Sequence, residues 1–166
     1  EDGCPDVDND KDGIPDVDDL CPNAPEDKNG FESHDGCPDT PPPAGIIDEG
    51  KRLRITTPIR FGYGSASPTS AGMKVIEAVA RYLAANKSLK ALEIAVYTDN
   101  NGKRRMLRAL SKARAERVKA YLVRRAGLAP HQVRAVGKGP AEPIADNGTL
   151  AGRSRNRRVE IRVLKR

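Results

Sequence analysis

The sequence predicts an α/β fold, an α+β sandwich whose helices pack on one mixed sheet, preceded by a small irregular acidic segment. Two apolar patterns alternate along the chain. In one, every second residue is apolar, as is typical of strands; in the other, apolar residues recur every three or four positions, as is typical of helices. Charge also divides the chain: residues 1–50 contain sixteen acidic residues and two lysines, whereas residues 51–166 contain twenty-seven Lys and Arg and seven acidic residues. A chain of 166 residues accommodates one ordinary domain and a small unit. We therefore divide it into residues 1–43, which end in three prolines, and residues 44–166.

The basic half of the chain contains predicted strands and helices in alternation. RLRITTPIRF, residues 52–61, alternates like a half-buried strand, and SASPTS then leads into an amphipathic helix around residues 73–83. ALEIAVYTD predicts a second strand, and a long helix follows from about Arg104 to Arg125, ending at Gly127. The remaining predicted elements are a strand at VRAV, a short helix or turn at GTLAGRSRN, and a final strand at RRVEIRVL.

The long helix places a cation among apolar side chains. Helical projection aligns Arg114 with four residues on one stripe: Leu107, Leu110, Val118 and Tyr121. Because an unpaired buried guanidinium is strongly destabilising, Arg114 requires an anion from the protein or from a ligand. Asp99 ends the second strand, where side chains emerge into the crevice beyond the carboxyl end of a sheet. We therefore expect Asp99 and Arg114 to meet.

The acidic segment contains a pattern of calcium ligands. DNDKDGIPDVDD, residues 8–19, fits D-x-D-x-D-G-x-x-D-x-x-D, in which spaced oxygen atoms surround Ca²⁺ and Gly13 supplies a sharp turn. The predicted ligands are Asp8, Asp10, Asp12, the Ile14 carbonyl, Asp16 and Asp19. A less regular half-repeat would add Asp27 and Asn29. The alternative, a disordered acidic linker, does not account for the position of the glycine.

Cysteine and proline follow this loop where an EF-hand would continue as a helix. The loop with its LCP, and then PEDKNGFESHDGCPD, resembles the thrombospondin type 3 repeats of bacterial envelope proteins. The resemblance implies Ca²⁺-filled repeats and a disulfide between Cys21 and Cys37, in an oxidising compartment such as the periplasm. Cys4 then lacks a partner, and because EDGCPD recurs as HDGCPD, we expect a fragment cut inside a repeat array. Zinc is the competing use of three cysteines, but their spacing matches no zinc motif.

Four segments of the basic half carry a second resemblance. YTDNNG, LSKARAERV, GKGPAEPIADN and GRSRNRRVEI, in this order and spacing, resemble the C-terminal peptidoglycan-binding domain of the OmpA-like family, over roughly residues 46–166. Peptidoglycan-associated lipoproteins and flagellar motor stators share this domain. The resemblance implies the fold of that domain and noncovalent binding of diaminopimelate in the peptide stem of the cell wall.

The ligand residues of the family correspond to positions in this sequence. Asp99 would take the ammonium group of diaminopimelate, and Arg114 would take its carboxylate through a bidentate contact. Thr98 and backbone amides near Gly102 would add hydrogen bonds. The alternative is an internal ion pair between Asp99 and Arg114 that only stabilises the fold.

The sequence departs from the family pattern at two places. Val96-Tyr97 replaces Gly-His and makes the pocket wall bulkier, and Leu107 replaces an Asn that helps to hold the ligand. The Asn156-Arg157-Arg158 group, at the start of the final strand, is expected to order the turn and cap the sheet, with Arg158 near the mouth of the pocket.

Other function classes fit these residues less well. The basic half lacks the aromatic platform and the motifs of nucleic-acid binding, and Ser111 and His131 form no catalytic constellation. We therefore expect a noncovalent peptidoglycan anchor in the periplasm of a Gram-negative bacterium, with a calcium-stiffened spacer and no enzymatic activity. No apolar run reaches the ~20 residues of a membrane span. We expect a missing upstream region, by a barrel or a lipid, to attach the protein to the outer membrane. The alternative is a calcium-stabilised adaptor whose basic domain binds another protein or an anionic glycolipid.

Overall fold

The structure is a computed structural model that describes residues 8–18, 21–25 and 45–166. The chain forms two compact units, Glu1–Pro41 and Pro42–Arg166. Within the described residues, all helices and strands belong to the second unit. None of the described helices combines the length and the apolar composition needed to cross a bilayer.

Five strands of the second unit form one mixed sheet. They are β1 (Ile46–Asp48), β2 (Arg52–Ile55), β3 (Ala91–Tyr97), β4 (Val133–Gly139) and β5 (Val159–Lys165). Their order across the sheet is β1-β2-β5-β3-β4. β3 and β4 are parallel, whereas the other neighbouring pairs are antiparallel. The last strand of the sequence therefore lies at the centre of the sheet.

Three α-helices and a 3-10 turn connect these strands: α1 (Ser70–Ala85), α2 (Arg104–Ala126), the turn Pro130–Gln132, and α3 (Leu150–Asn156). α1 begins after Thr69, whose hydroxyl accepts a hydrogen bond from the Gly72 amide. α2 ends at Gly127, which adopts the left-handed conformation with φ of 66°. The prediction of a mixed α/β fold with helices packed on a sheet is confirmed.

The apolar faces of α1 and α2 pack on one face of the sheet. Their core includes Leu83 of α1, Leu122 of α2, Ile94 of β3 and Ile161 of β5. The last three have no exposed surface. Because successive strand residues point to opposite faces, Tyr97 lies on the other face of β3, outside this core.

The start of the sheet differs from the prediction. The strand predicted over residues 52–61 ends at Ile55 as β2, and it pairs with β1, a strand that the sequence pattern did not predict. Pro58 lacks the amide hydrogen that a longer strand would need, and Phe61 forms only an isolated bridge to Pro68. β1 has three residues, too few for a pattern of alternation.

Helix α2 lies unusually close to β4. A Cβ atom on Gly137 would come within 2.3 Å of the Lys112 backbone nitrogen, so this contact requires glycine. The Ser111 hydroxyl donates to the Arg108 carbonyl and accepts a hydrogen bond from the Gly139 amide at 2.9 Å. These contacts fix the first half of α2 beside the end of the sheet.

Candidate functional site

A cleft of about 540 Å³ lies at the carboxyl end of β3. Its walls come from residues 59–64, from the end of β3 with the residues that follow it, from α2, and from α3 with the residues leading into β5. The polar and charged side chains that line it are Arg60, Tyr63, Tyr97, Thr98, Asp99, Asn101, Arg114, Arg153, Arg157 and Arg158.

Asp99 is nearly buried in this cleft, with 9% of its surface exposed. Its Oδ2 atom accepts a hydrogen bond from Nη1 of Arg157 at 2.6 Å, and the two side chains form an ion pair. Its Oδ1 atom accepts a hydrogen bond from the Asn101 amide at 3.1 Å. The carboxylate is thus held in place, and each of its oxygens keeps a further acceptor position.

Arg114 reaches the same cleft from α2 and is 8% exposed. Its Nε atom donates to the Ser65 carbonyl at 2.8 Å, and its Nη2 atom donates to the Gly62 carbonyl at 3.1 Å. The guanidinium carbon also lies 4.8 Å from the centroid of the Phe61 ring, a cation–π contact. These bonds use two of the five guanidinium N–H donors.

Asp99 and Arg114 line one cleft, as expected, but the alternative of an internal ion pair between them is wrong, since the described residues show no such pair. Asp99 pairs with Arg157, and Arg114 is held by two backbone carbonyls and an aromatic ring. Backbone carbonyls and a ring face can stabilise a largely buried guanidinium without a carboxylate. The anion sought for Arg114 is not supplied by any side chain of the described residues within ion-pair distance.

The charges of the cleft still act on one another. Burial lowers the pKa of the Arg114 guanidinium, the negative charge of Asp99 opposes this shift, and the positive charge of Arg157 adds to it. Asp99 and Arg157 thus both lie within electrostatic reach of Arg114. An anion bound at Arg114 would relieve the cost of burying its charge.

Two further predicted ligand residues, Thr98 and Gly102, form hydrogen bonds within the protein. The Thr98 hydroxyl donates to the Asp99 carbonyl at 2.8 Å, and the Gly102 amide donates to the Asn100 carbonyl at 3.0 Å. Asn101, and not Gly102, lines the cleft. Leu107 also lines it, and its side chain lies against Gly102, where a Cβ atom would be 3.4 Å from Leu107 Cδ2.

Tyr97 and Arg158 form a stacked pair at one wall of the cleft. The guanidinium carbon of Arg158 lies 3.6 Å from the centroid of the Tyr97 ring. The Tyr97 hydroxyl donates to Glu142 at 3.1 Å and accepts a hydrogen bond from Arg162 at 3.0 Å. Burial, helped by the charge of Glu160, raises the pKa of Tyr97 to about 12.

Arg158 is held by carboxylate and carbonyl groups on the same wall. Its Nε atom donates to Glu160 at 2.8 Å, and its Nη2 atom donates to the Glu142 carbonyl at 3.1 Å. Its Nη1 atom is buried and has no hydrogen-bond partner within the described part of the chain. For the Glu160 carboxyl, burial alone would raise the pKa, but hydrogen bonds from Arg158 and Arg162 hold it below its usual value.

Asn156 orders the loop before α3. It is 1% exposed, and its Oδ1 atom accepts hydrogen bonds from the Ile144 and Ala145 amides. Its Nδ2 group donates to the Ala145 carbonyl and to the Asn147 side chain, both at 2.8 Å. Asn156 therefore has the turn-ordering role expected for it, and it fixes the start of the segment that carries Arg157.

Sequence reasoning missed three arginines of the cleft. Arg157 was expected only to order the turn, yet it is the ion-pair partner of Asp99. Arg60 and Arg153 line the cleft as well. The GRSRNRRVEI segment contained a signal for two of them, because a surplus of arginines beside a predicted pocket indicates an anionic ligand. Arg60 gave no such signal, since it lies in a segment predicted as a strand.

The acidic unit brings together three of its predicted metal ligands. One carboxylate oxygen from each of Asp8, Asp10 and Asp12 lies within 4.8 Å of the others. The Gly13 amide donates to Asp8 at 3.1 Å, and the Asn9 amide donates to Asp16 at 2.9 Å. The Oδ1 atom of Asp8 is buried and has no hydrogen-bond partner within the described residues.

Several predicted residues of the acidic unit lie outside the described residues. They are Asp19, Asp27, Asn29 and Cys37. Cys21 is disulfide-bonded, but its pairing with Cys37 stays a prediction. The roles of Ile14 and Asp16 as metal ligands stay predictions too.

Comparison with known proteins places the second unit in a family context. The model of the OmpA family matches residues 60–157. The chain is 38% identical over 138 residues to the peptidoglycan-binding protein ArfA of Mycobacterium bovis. This match covers 81% of this chain and 42% of ArfA. It is 38% identical over 115 residues to outer membrane porin F of Pseudomonas fluorescens, which is 67% of this chain and 33% of the porin. The chain thus spans less than half the length of these relatives.

Solved structures show the same fold. The structure of the cell wall anchor of the T6SS from Pseudomonas aeruginosa has a TM-score of 0.62 and 30% identity, covering 74% of this chain and 87% of that one. The structure of the peptidoglycan-associated lipoprotein from Burkholderia pseudomallei has a TM-score of 0.55 and 27% identity. The match covers 63% of this chain and 86% of that one. Both similarities support the assignment of the second unit to this fold.

Proposed function

Because the chain belongs to the OmpA family, we propose that its second unit binds peptidoglycan noncovalently, through the diaminopimelate of the stem peptide. Relatives named for peptidoglycan binding and for anchoring at the cell wall support this proposal. Relatives named as outer membrane proteins support a place in the bacterial envelope, for which we propose the periplasm of a Gram-negative bacterium, with attachment to the outer membrane.

One observation carries the proposal: a nearly buried carboxylate and a nearly buried guanidinium line one cleft without neutralising each other. Asp99 is 9% exposed and Arg114 is 8% exposed. The free end of diaminopimelate is an amino acid with one ammonium and one carboxylate. A cleft that offers an acid and a base at separate points matches such a zwitterion, because each ligand charge finds an opposite charge on the protein.

Each residue retains capacity for the ligand. Asp99 would accept hydrogen bonds from the ligand ammonium at positions that Arg157 and Asn101 do not occupy. Arg114 would direct its remaining N–H groups to the ligand carboxylate while its bonds to Gly62 and Ser65 keep it oriented. Such orientation lowers the entropy lost when the ligand binds.

Leu107 limits the number of hydrogen bonds that the cleft can form with the proposed ligand. By the resemblance to the family pattern it replaces an Asn that helps to hold the ligand, and its side chain contributes only apolar contact beside Gly102. Tyr97 likewise directs its hydroxyl to Glu142 and Arg162. The proposed affinity therefore depends mainly on Asp99 and Arg114.

Calorimetry with stem peptides would test the proposal. Wild-type protein should bind a peptide containing diaminopimelate, and Asp99→Ala and Arg114→Ala should each weaken binding by about tenfold or more, the effect of losing a charge-assisted hydrogen bond. A peptide with lysine in place of diaminopimelate lacks the side-chain carboxylate and should bind weakly to wild type. Arg105→Ala, at an exposed position of α2, is the matched control.

The result against the proposal is equally clear. If the wild-type protein binds neither the diaminopimelate peptide nor purified cell-wall sacculi, the cleft is not a peptidoglycan site. Binding to another envelope protein or to an anionic glycolipid would then be the function to pursue.

We propose binding without catalysis. Ser111 has no exposed surface, and its hydroxyl is bonded to Arg108 and Gly139, so it serves to fix α2. His131 is exposed in the 3-10 turn and belongs to another part of the surface than the cleft lining. Incubation with wall fragments should release no soluble product, and release would contradict this assignment.

For the acidic unit we propose a Ca²⁺-binding spacer of the thrombospondin type 3 kind. The convergence of Asp8, Asp10 and Asp12 and the buried Oδ1 atom of Asp8 support it, since hard carboxylate oxygens are the ligands that Ca²⁺ prefers. Asp16, Asp19 and the Ile14 carbonyl would complete the site.

Calorimetry with Ca²⁺ on chelator-treated protein would test the spacer. Asp8→Asn and Asp12→Asn should weaken binding by about tenfold or more, because affinity depends on the number of charged ligands. Asp18→Asn, outside the cluster, should bind like wild type. Equal binding by all variants would contradict the assignment.

A further inference from the structure

The cleft contains more positive charge than a zwitterion neutralises. Five arginines line it, and Asp99 is the only carboxylate among its described lining residues. Arg157 is paired with Asp99, and Arg158 is paired with Glu160 at 2.8 Å. The other three are Arg60, Arg114 and Arg153, which form no ion pair with a carboxylate of the described residues.

Two of these three arginines are associated with α3, which forms one side of the cleft: Arg153 belongs to this helix and Arg60 bonds to it. Nη1 of Arg60 donates to the hydroxyl of Ser154, a residue of α3, at 3.1 Å. Arg153 precedes Ser154 and donates through its own Nη1 to the Asn147 carbonyl at 2.8 Å. Both guanidinium groups are thus oriented by neutral partners, and both keep most of their N–H donors for another group.

Cations that line one cleft repel each other, and an anion bound between them offsets this repulsion. In the proposed complex the ligand ammonium meets Asp99 and the ligand carboxylate meets Arg114. That zwitterionic end adds no net charge, so it leaves Arg60 and Arg153 uncompensated. A ligand with one more carboxylate would compensate them.

We propose that Arg60 and Arg153 form a second anion subsite of the cleft, which binds a second free carboxylate of the stem peptide. The inference rests on the proposed function and names the substrate class more narrowly: stem peptides whose other carboxylates are free, in preference to amidated ones. Two groups have the required chemistry, the α-carboxylate of the γ-linked glutamate and the C-terminal carboxylate of the stem.

Calorimetry with three synthetic stem peptides tests this subsite. All three contain diaminopimelate with a free side-chain end; one has both other carboxylates free, one has the glutamate α-carboxylate amidated, and one has the C-terminus amidated. Wild type should bind one amidated form about three- to tenfold more weakly than the free form, the range for partly exposed charge pairs. The form that binds more weakly identifies which carboxylate occupies the subsite.

Variants separate the two subsites. Arg60→Gln combined with Arg153→Gln should bind free and amidated peptides equally, and it should still discriminate diaminopimelate from lysine. Arg155→Gln, an exposed residue of α3 outside the cleft lining, should keep the wild-type preference. Arg153→Lys keeps the charge and should retain most of the preference, which guards against a loss caused by misfolding.

The two proposals fail in different ways. Equal binding of all three peptides by wild type would overturn the second subsite and leave the proposed function intact. A preference that persists in the Arg60→Gln, Arg153→Gln variant would also overturn it. If wild type binds none of the peptides, the proposed function fails and the subsite fails with it.

Discussion

The Asp99 carboxylate lies 2.6 Å from Nη1 of Arg157, and this pair holds the acid of the cleft in place. The two residues are 58 positions apart in sequence, and the antiparallel pairing of β3 with β5 brings them together. A ligand ammonium would share the Asp99 carboxylate with Arg157. Arg157 is therefore the protein's own counter-ion at the point where the ligand is proposed to bind.

The Asp99–Arg157 pair should contribute modestly to stability. A double-mutant cycle with Asp99→Asn and Arg157→Gln, measured by urea unfolding, should give a coupling of about 1 kcal/mol, because the Arg157 side chain is 44% exposed and solvent screens the pair. Saturation with the stem peptide should reduce the coupling as the ammonium joins Asp99. A coupling unchanged by the peptide would mean that the ligand does not reach Asp99.

Replacement of Arg114 by lysine should impair both folding and binding. Lysine keeps the charge but cannot bond the Gly62 and Ser65 carbonyls and a carboxylate in one plane, so we expect a loss of about 1–2 kcal/mol in unfolding free energy and about tenfold in affinity. Urea unfolding and calorimetry measure the two effects. Arg105→Lys is the control, and wild-type affinity in Arg114→Lys would show that charge alone suffices.

Asn156→Ala should loosen the loop before α3. The substitution removes four hydrogen bonds and leaves the partly buried Ile144 and Ala145 amides without their acceptor, which should lower the free energy of unfolding by about 1–2 kcal/mol. Hydrogen exchange at the Ile144 and Ala145 amides should accelerate before the rest of the domain. Asn100→Ala, at an exposed position, should have little effect. Unchanged exchange at these two amides would contradict the role of Asn156.

Tyr97 should make the domain sensitive to alkali. Its pKa is raised from 10.0 to about 12, chiefly by burial, so the folded state keeps the phenol neutral where the unfolded chain ionises. Its contribution to stability is complete below pH 10 and should be lost as the pH rises through about 12. Unfolding free energies measured across this range should fall less steeply for Tyr97→Phe than for wild type. Identical slopes would contradict the prediction.

The general position of the site followed from two local patterns. Asp99 lies two residues after the apolar strand β3, and Arg114 interrupts an apolar stripe on the next helix, so both were expected at one cleft. The position of the site depends on this strand–turn–helix connection, which is short and local. The fold class was predictable from local patterns too. Along the basic half of the chain, segments with the two-residue apolar repeat of strands alternate with segments that have the three- to four-residue repeat of helices.

The partners of these residues were not predictable from the same patterns. Arg114 is held by carbonyls of residues 62 and 65, and a carbonyl gives no signal in the sequence because each residue has one. Arg157 was assigned to a turn because periodicity does not tell which strand lies beside β3. The sequence pattern also missed the three-residue strand β1, which depends on its pairing with β2. It missed the early end of β2 at Ile55 as well, which depends on Pro58.

The position of β5 has a consequence for how the domain assembles. β5 lies between β2 and β3, so the hairpin of β1 and β2 and the parallel pair of β3 and β4 have no shared edge until it is inserted. Synthesis from the amino terminus produces β5 after the other four described strands, so the two half-sheets have unpaired edges until β5 joins them. Completion of the sheet and placement of Arg157 against Asp99 therefore depend on the same strand pairing, so a change that displaces β5 would also remove the counter-ion of the cleft.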